Sequence, residues 1–166
     1  MAAPRGRPGR AEIRSHQRAR RLALASVFEA DFGQRTAAAV LERHLAEAGR
    51  DLEAARFARL LVGVTVDDRE EIDRRIEQLA SQYPVVQLAR IDRALLRTAL
   101  GEVLHSAATP ARVAIAEWVE LARIYSGDPA RRLMNGVLGR LARDAAASTR
   151  EMVDGSANEE AGLPAG

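Results

Sequence analysis

The segment that most constrains the fold runs from Pro110 to Leu141, P-A-R-V-A-I-A-E-W-V-E-L-A-R-I-Y-S-G-D-P-A-R-R-L-M-N-G-V-L-G-R-L. Its apolar residues recur at spacings of three and four on both sides of a Ser-Gly-Asp-Pro break, which marks two amphipathic helices joined by a short turn. In the first helix, Val113, Ala114, Ile115, Trp118, Val119 and Ala122 lie on or beside one face. Pro110 suits a first helical turn, where its missing N–H is no loss, and Thr109 is placed to cap it. Ser126-Gly127 stops this helix, and Asp128-Pro129 restarts the chain as cap and first helical residue. Leu133, Met134, Val137, Leu138 and Leu141 then carry the period straight through Asn135-Gly136. In isolation Asn-Gly favours a tight turn; the unbroken period on both sides argues for helix. A glycine inside a helix costs about 1 kcal/mol against alanine, so Gly136 is expected to let a neighbouring helix come close.

The same periodicity extends upstream. A helix is expected from about Ala11 to Phe32, with Leu22, Ala23, Val27 and Ala30 on its apolar face, and a shorter one from Thr36 to Ala48, ended by Gly49. Asp51 caps a long segment in which Phe57, Leu60, Leu61, Val64, Ile72, Ile76 and Leu79 keep helical spacing. Gly63 and the β-branched run after it are the place to bend or interrupt that segment, and Tyr83-Pro84 ends it. Leu88, Ile91, Leu95, Ala99, Val103 and Leu104 define a further helix. No stretch alternates with period two for long enough to build a sheet. The expectation is an all-α fold of six to seven helices. Residues 1–11 are expected as a flexible basic arm, 12–144 as the helical domain and 145–166 as a disordered acidic tail.

Charge is distributed unevenly along the chain. The formal net charge is only +2, yet residues 1–21 carry seven arginines and one acid, while residues 144–166 carry one arginine and five acids. A basic end favours an anionic partner, and an acidic one marks a solvated tail. All 25 basic residues are arginine, which base composition favouring Ala and Arg codons explains more simply than selection at each site. There is no cysteine, which excludes disulfides, thiol catalysis and cysteine-based metal sites. No apolar run reaches membrane-spanning length, and no signal-peptide core follows the basic start. A soluble, cytoplasmic protein is expected.

The sequence offers little catalytic chemistry. His16, His44 and His105 lie far apart without ligand-type spacing to a carboxylate, so no metal site and no cofactor are expected. Glu117 and Glu120, one turn apart, read as a solvated helix face. Phosphate-cradling glycine loops, nucleophile elbows and nucleotide fingerprints are missing, and the chain is not expected to be an enzyme. The stronger candidate is Arg14-Ser15-His16-Gln17-Arg18-Ala19-Arg20-Arg21. On a helix Arg14, Arg18 and Arg21 share a face, flanked by Gln17 and Arg20. Guanidinium groups there can grip phosphates bidentately and stack on unpaired bases. Positive charge near a helix N-terminus opposes the macrodipole, which adds weight to a functional reason for it. Asp92 and Arg93 lie beside the buried stripe of Leu88, Ile91 and Leu95; a surface pair and a functional contact both fit that position.

Three blocks resemble the NusB family of bacterial transcription antitermination factors. Val113 to Ala122 matches the family's Val-Ala-Ile-x-Glu-x-Val-Glu-Leu-Ala core, and Met134 to Leu138 matches Val-Asn-Gly-Val-Leu with Met for the first Val. Ile91 to Arg97 is similar to the helix that precedes this pair. The family pattern Arg-x-x-Ala-Leu-x-x-Leu-Tyr is approximated by Arg20, Ala23, Leu24, Val27 and Phe28. The resemblance implies two small helical subdomains packed perpendicular to one another. It also implies binding of the single-stranded boxA element of nascent ribosomal RNA, jointly with the small-subunit ribosomal protein NusE, within an RNA polymerase antitermination complex. By that resemblance Arg14, His16, Gln17, Arg18, Arg20 and Arg21 would contact RNA, and Asp92, with Arg93, would contact NusE. A helical adaptor or homodimer without specific RNA binding is the competing expectation. Trp118 is expected in the core or half-buried.

Overall fold

The structure, a computed structural model, describes residues 7–82 and 84–160, with side chains described as far as residue 152. Seven α-helices are present among the described residues: α1 Arg10–Ala30, α2 Ala37–Glu47, α3 Leu52–Asp67, α4 Arg69–Leu79, α5 Arg90–His105, α6 Ala111–Tyr125 and α7 Asp128–Glu160. A single 3-10 turn, Val85–Gln87, leads into α5, and no strand occurs among the described residues. The all-α expectation holds.

Local chemistry sets most of the boundaries. Thr36 Oγ1 accepts the Ala39 amide at 3.2 Å, and Asp51 Oδ1 accepts the Ala54 amide at 3.0 Å, so both side chains satisfy first-turn donors. Gly127 takes φ +103° between α6 and α7, a conformation that L side chains rarely adopt. Several expectations need correcting. Pro110 is the residue before α6, rather than inside it, and Thr109 does not cap the helix. The Thr109 hydroxyl instead accepts from Arg20. Gly63 stays helical, and the long segment breaks at Asp68, whose ψ of 19° leaves helical geometry. Nothing lies within 4 Å of a Cβ built on Gly136, whereas one on Gly101 would stand 2.8 Å from Thr65 Oγ1. Gly101, not Gly136, is where two helices, α5 and α3, need a missing side chain. The last helix passes Asp144 and runs to Glu160; residues 145–160 hold no proline to stop it and begin with three alanines. Residues 1–6 of the expected arm, 161–166 of the expected tail and Tyr83 lie outside the described residues.

The helices pack as two groups joined through α5. α1, α2 and α3 contact one another, α6 lies against α7, and α5 touches α1, α3, α4, α6 and α7. Accordingly, α5 is buried continuously from Ala94 to Glu102, while the outer helices bury one stripe each. Leu24, Phe57 and Leu61 share one buried core with Leu95, Leu96 and Leu100 of α5 and with Trp118, Met134 and Leu138 of the last two helices. Val113, expected on the buried face of α6, is 42% exposed.

Candidate nucleic-acid interface

The arginine-rich turns of α1 divide into an outer face and an inner one. Arg14 and Arg21 are exposed, and Arg18 is half-buried with its Nη2 donating to the Ala48 carbonyl at the end of α2. Gln17, beside them, donates from Nε2 to Glu117 Oε1 at 3.1 Å, which fixes α1 against α6. Ser15 donates to both carboxylate oxygens of Asp51, at 3.1 and 3.0 Å. The helix that presents Arg14, Arg18 and Arg21 is therefore held in rotation by polar contacts on two sides.

Arg20 and His16, both expected among the RNA contacts, point the other way into the fold. Arg20 is 2% exposed. Its Nε and Nη2 donate to the two oxygens of Glu102 at 2.9 and 2.7 Å, and Nη2 also reaches Thr109 Oγ1 at 3.3 Å. Trp118 Nε1 donates to the same Glu102 carboxylate at 2.7 Å, and the Phe57 ring lies 5.6 Å from the Arg20 guanidinium carbon. A buried pair of this kind is tolerable because its geometry is bidentate and its other lone pairs are occupied. It joins α1, α5 and α6 and leaves Arg20 no access to a phosphate. Trp118 is core, as expected. His16 packs on Phe57 with ring centroids 4.2 Å apart and places Nε2 3.0 Å from Glu53 Oε1.

All three histidines meet carboxylates: His44 Nε2 lies 3.4 Å from Glu29 Oε2, and His16 and His105 each sit in a trio in which only Glu12, four residues before His16, is near in sequence. Ligand atoms of Glu12, His16 and Glu53, and of Asp68, Glu71 and His105, lie within 4.8 Å of one another in each trio. The first trio is already an ion-pair network: Arg56 donates to Glu53 at 2.7 and 3.1 Å. Hydrogen bonds from Arg56 and then His16 pull the Glu53 carboxyl down to about 2. In the second trio His105 Nδ1 lies 3.6 Å from Asp68 and Nε2 lies 3.9 Å from Glu71.

A second surface forms where the C-terminal end of α1 meets the start of α5. Phe32 is half-exposed, with the Arg90 guanidinium 4.4 Å over its ring and Phe28 edge-on at 5.4 Å. Val86, in the 3-10 turn, is 78% exposed. Asp92 is partly exposed and accepts from Ser126 Oγ at 2.6 Å. Arg93 is largely occupied inside the fold, paired with Asp31 and donating to the Val86 carbonyl at 3.3 Å. Asp92 and Arg93 thus differ: the first borders solvent, the second braces α5 against α1. Phe32, Arg90 and Val86 were not singled out in the sequence; the available signal was a phenylalanine just past the end of an amphipathic stripe.

Comparison with known proteins places this architecture. The NusB family model matches residues 17–143, so the match covers most of α1 but begins after Arg14. The transcription antitermination protein NusB of Chloroflexus aggregans is 39% identical over 155 residues, covering 92% of this chain and 99% of that protein. The T. maritima NusB structure superposes with a TM-score of 0.72 at 26% identity, over 86% of this chain and 93% of that one. A crystal structure of antitermination factors NusB and NusE in complex with dsRNA shares the fold, with a TM-score of 0.72 at 22% identity over 80% of this chain and 98% of that one.

Proposed function

The chain belongs to the NusB family, and from that premise we propose that it is a cytoplasmic, non-enzymatic transcription antitermination factor. It binds boxA-type RNA jointly with a NusE-type ribosomal protein and helps RNA polymerase read through terminators. The observation that carries the RNA half is the sorting of α1. Arg20 is consumed by a buried pair with Glu102, and that pair fixes the helix so that Arg14 and Arg21 face solvent with Arg18 between them. Three guanidiniums on one rigid face give a backbone-gripping surface without the entropy cost of a flexible loop. So small a patch supplies charge and little sequence discrimination, which fits a readout shared with a second protein.

The partner half rests on the surface around Asp92. Around the start of α5 lie an aromatic ring under Arg90 and an exposed valine, and Asp92 on the same first turn adds a carboxylate of opposite charge, the mixed apolar and polar composition of a docking surface. The NusB–NusE complex with dsRNA has the same fold and supports looking for both partners together. A titration of boxA RNA, its scrambled counterpart and a duplex control, with and without NusE, tests the proposal. Weak binding alone and tighter, sequence-selective binding with NusE are expected. Equal affinity for all RNAs in both conditions would leave a protein-only adaptor as the better account. In the same assay Asp92→Arg should weaken NusE capture while the helix content stays unchanged; full capture would remove Asp92 from the interface.

A further inference from the structure

Beside the arginine face lies a groove of about 710 Å³ between the first turns of α1 and the loop leading into α6. Its size falls in the range of small-molecule and cofactor sites. The groove has an unusual lining for a solvent-exposed surface. Ile13 and Val113, on opposite helices, are 41% and 42% exposed. Ala107, Ala108 and Pro110 supply small, flat apolar walls. Arg7 and Arg112 stand among the lining residues with the carboxylate of Glu12. His16 and Arg20 also contribute to the lining, but their polar atoms are already engaged with Glu53 and Glu102.

We propose that this groove seats one unstacked base of the RNA strand that runs along Arg14, Arg18 and Arg21. The proposal rests on the RNA-binding reading above and adds to it a site of base recognition. Position is the first argument. On α1, Ile13 precedes Arg14 directly and Gln17 follows it by three residues, so groove wall and arginine face share an edge. Gln17 is bonded to Glu117, itself part of the groove lining. A strand held by its phosphates at Arg14 therefore passes the groove mouth. Charge is the second argument. Arg7 and Arg112 add cations at the groove, where the backbone on either side of an extruded nucleotide needs partners. Chemistry is the third. A base offers flat apolar faces to aliphatic walls and a polar edge to one or two fixed groups, as single-stranded RNA recognition generally requires. The acceptor at the groove is the Glu12 carboxylate, which accepts from the amino-bearing edges of adenine, cytosine or guanine and from uracil only through its single N3–H.

The test is an abasic scan of boxA RNA, in the presence of NusE, against the wild-type protein, Val113→Trp and Ile13→Ser. Val113→Trp fills the groove from an exposed position, and Ile13→Ser removes an apolar wall; circular dichroism and melting confirm that each variant is folded. With the wild type, removal of one base should weaken binding about tenfold, with the other positions costing less. In both variants that one position should lose its penalty, while the salt dependence set by the arginines is unchanged. Unaltered abasic profiles in both variants would overturn the proposal and leave the arginine face standing. Loss of NusE capture with an unaltered profile would assign the groove to a protein side chain instead. No RNA binding by the wild type would remove the parent reading, and the wild-type measurement alone reports that outcome.

Discussion

Replacing Arg20 should damage the fold and spare the RNA surface. In Arg20→Met the Glu102 carboxylate keeps Trp118 as a donor but loses both guanidinium contacts, at a site where Glu102 is 1% exposed. An uncompensated buried charge costs about 3–5 kcal/mol, a large part of the roughly 5–15 kcal/mol that holds a domain folded. At about 2–4 °C per kcal/mol for a chain of this size, the melting midpoint should fall by roughly 6–20 °C. Adding Glu102→Gln removes the orphaned charge and retains an oxygen for Trp118, so the double variant should recover much of that loss. Thermal unfolding by circular dichroism reads the stability, and RNA titration well below the midpoint reads the surface. An Arg20→Met protein that melted like the wild type yet lost RNA affinity would refute the reasoning, because Arg20 would then be a contact and not a brace.

Three further outcomes follow from the geometry. Glu53 is held at about 2, below its ordinary 4.5, first by Arg56 and then by His16; its stabilising contribution is complete above about pH 4.5 and is lost as the pH falls toward 2. Acid unfolding followed over that window should be less steep in Glu53→Gln than in the wild type, and an identical acid limb would contradict the pairing. Gly101→Ala should destabilise by about 1–3 kcal/mol through overpacking, since its Cβ would press on Thr65 Oγ1, itself bonded to the Leu61 carbonyl at 2.7 Å. Gly136→Ala meets open space and should stabilise by up to about 1 kcal/mol in denaturant titration.

The helices were legible because their apolar residues repeat with helical spacing and because Thr36, Asp51 and Gly127 mark ends by side-chain or backbone chemistry. Mid-helix glycines were not separable in that way: Gly101 and Gly136 look alike in sequence, and only the approach of α3 to α5 distinguishes them. Arg20 is more instructive. It lies three residues before Ala23 and seven before Val27, on the apolar stripe of α1, and Glu102 lies three residues after Ala99 on the stripe of α5. Two opposite charges on two buried stripes are a readable sign of an internal pair, which the attraction of an arginine-rich run concealed. Glu12 and His16, four residues apart on α1, were legible as a helical pair, whereas Glu53 reaches His16 from α3, and Asp68 and Glu71 reach His105 from the start of α4, across helix packings that spacing does not reveal. The partner surface depends on where α1 ends relative to α5, which periodicity does not specify.

The salt dependence of RNA binding in Arg14→Ala with Arg21→Ala tests the central claim most directly. Both side chains are exposed, so the melting midpoint should stay at the wild-type value. If each neutralises one phosphate of single-stranded RNA, the log–log slope should shrink by about 1.4, with weaker binding at low salt. A slope and affinity equal to those of the wild type would contradict the assignment of the outer face of α1 to RNA.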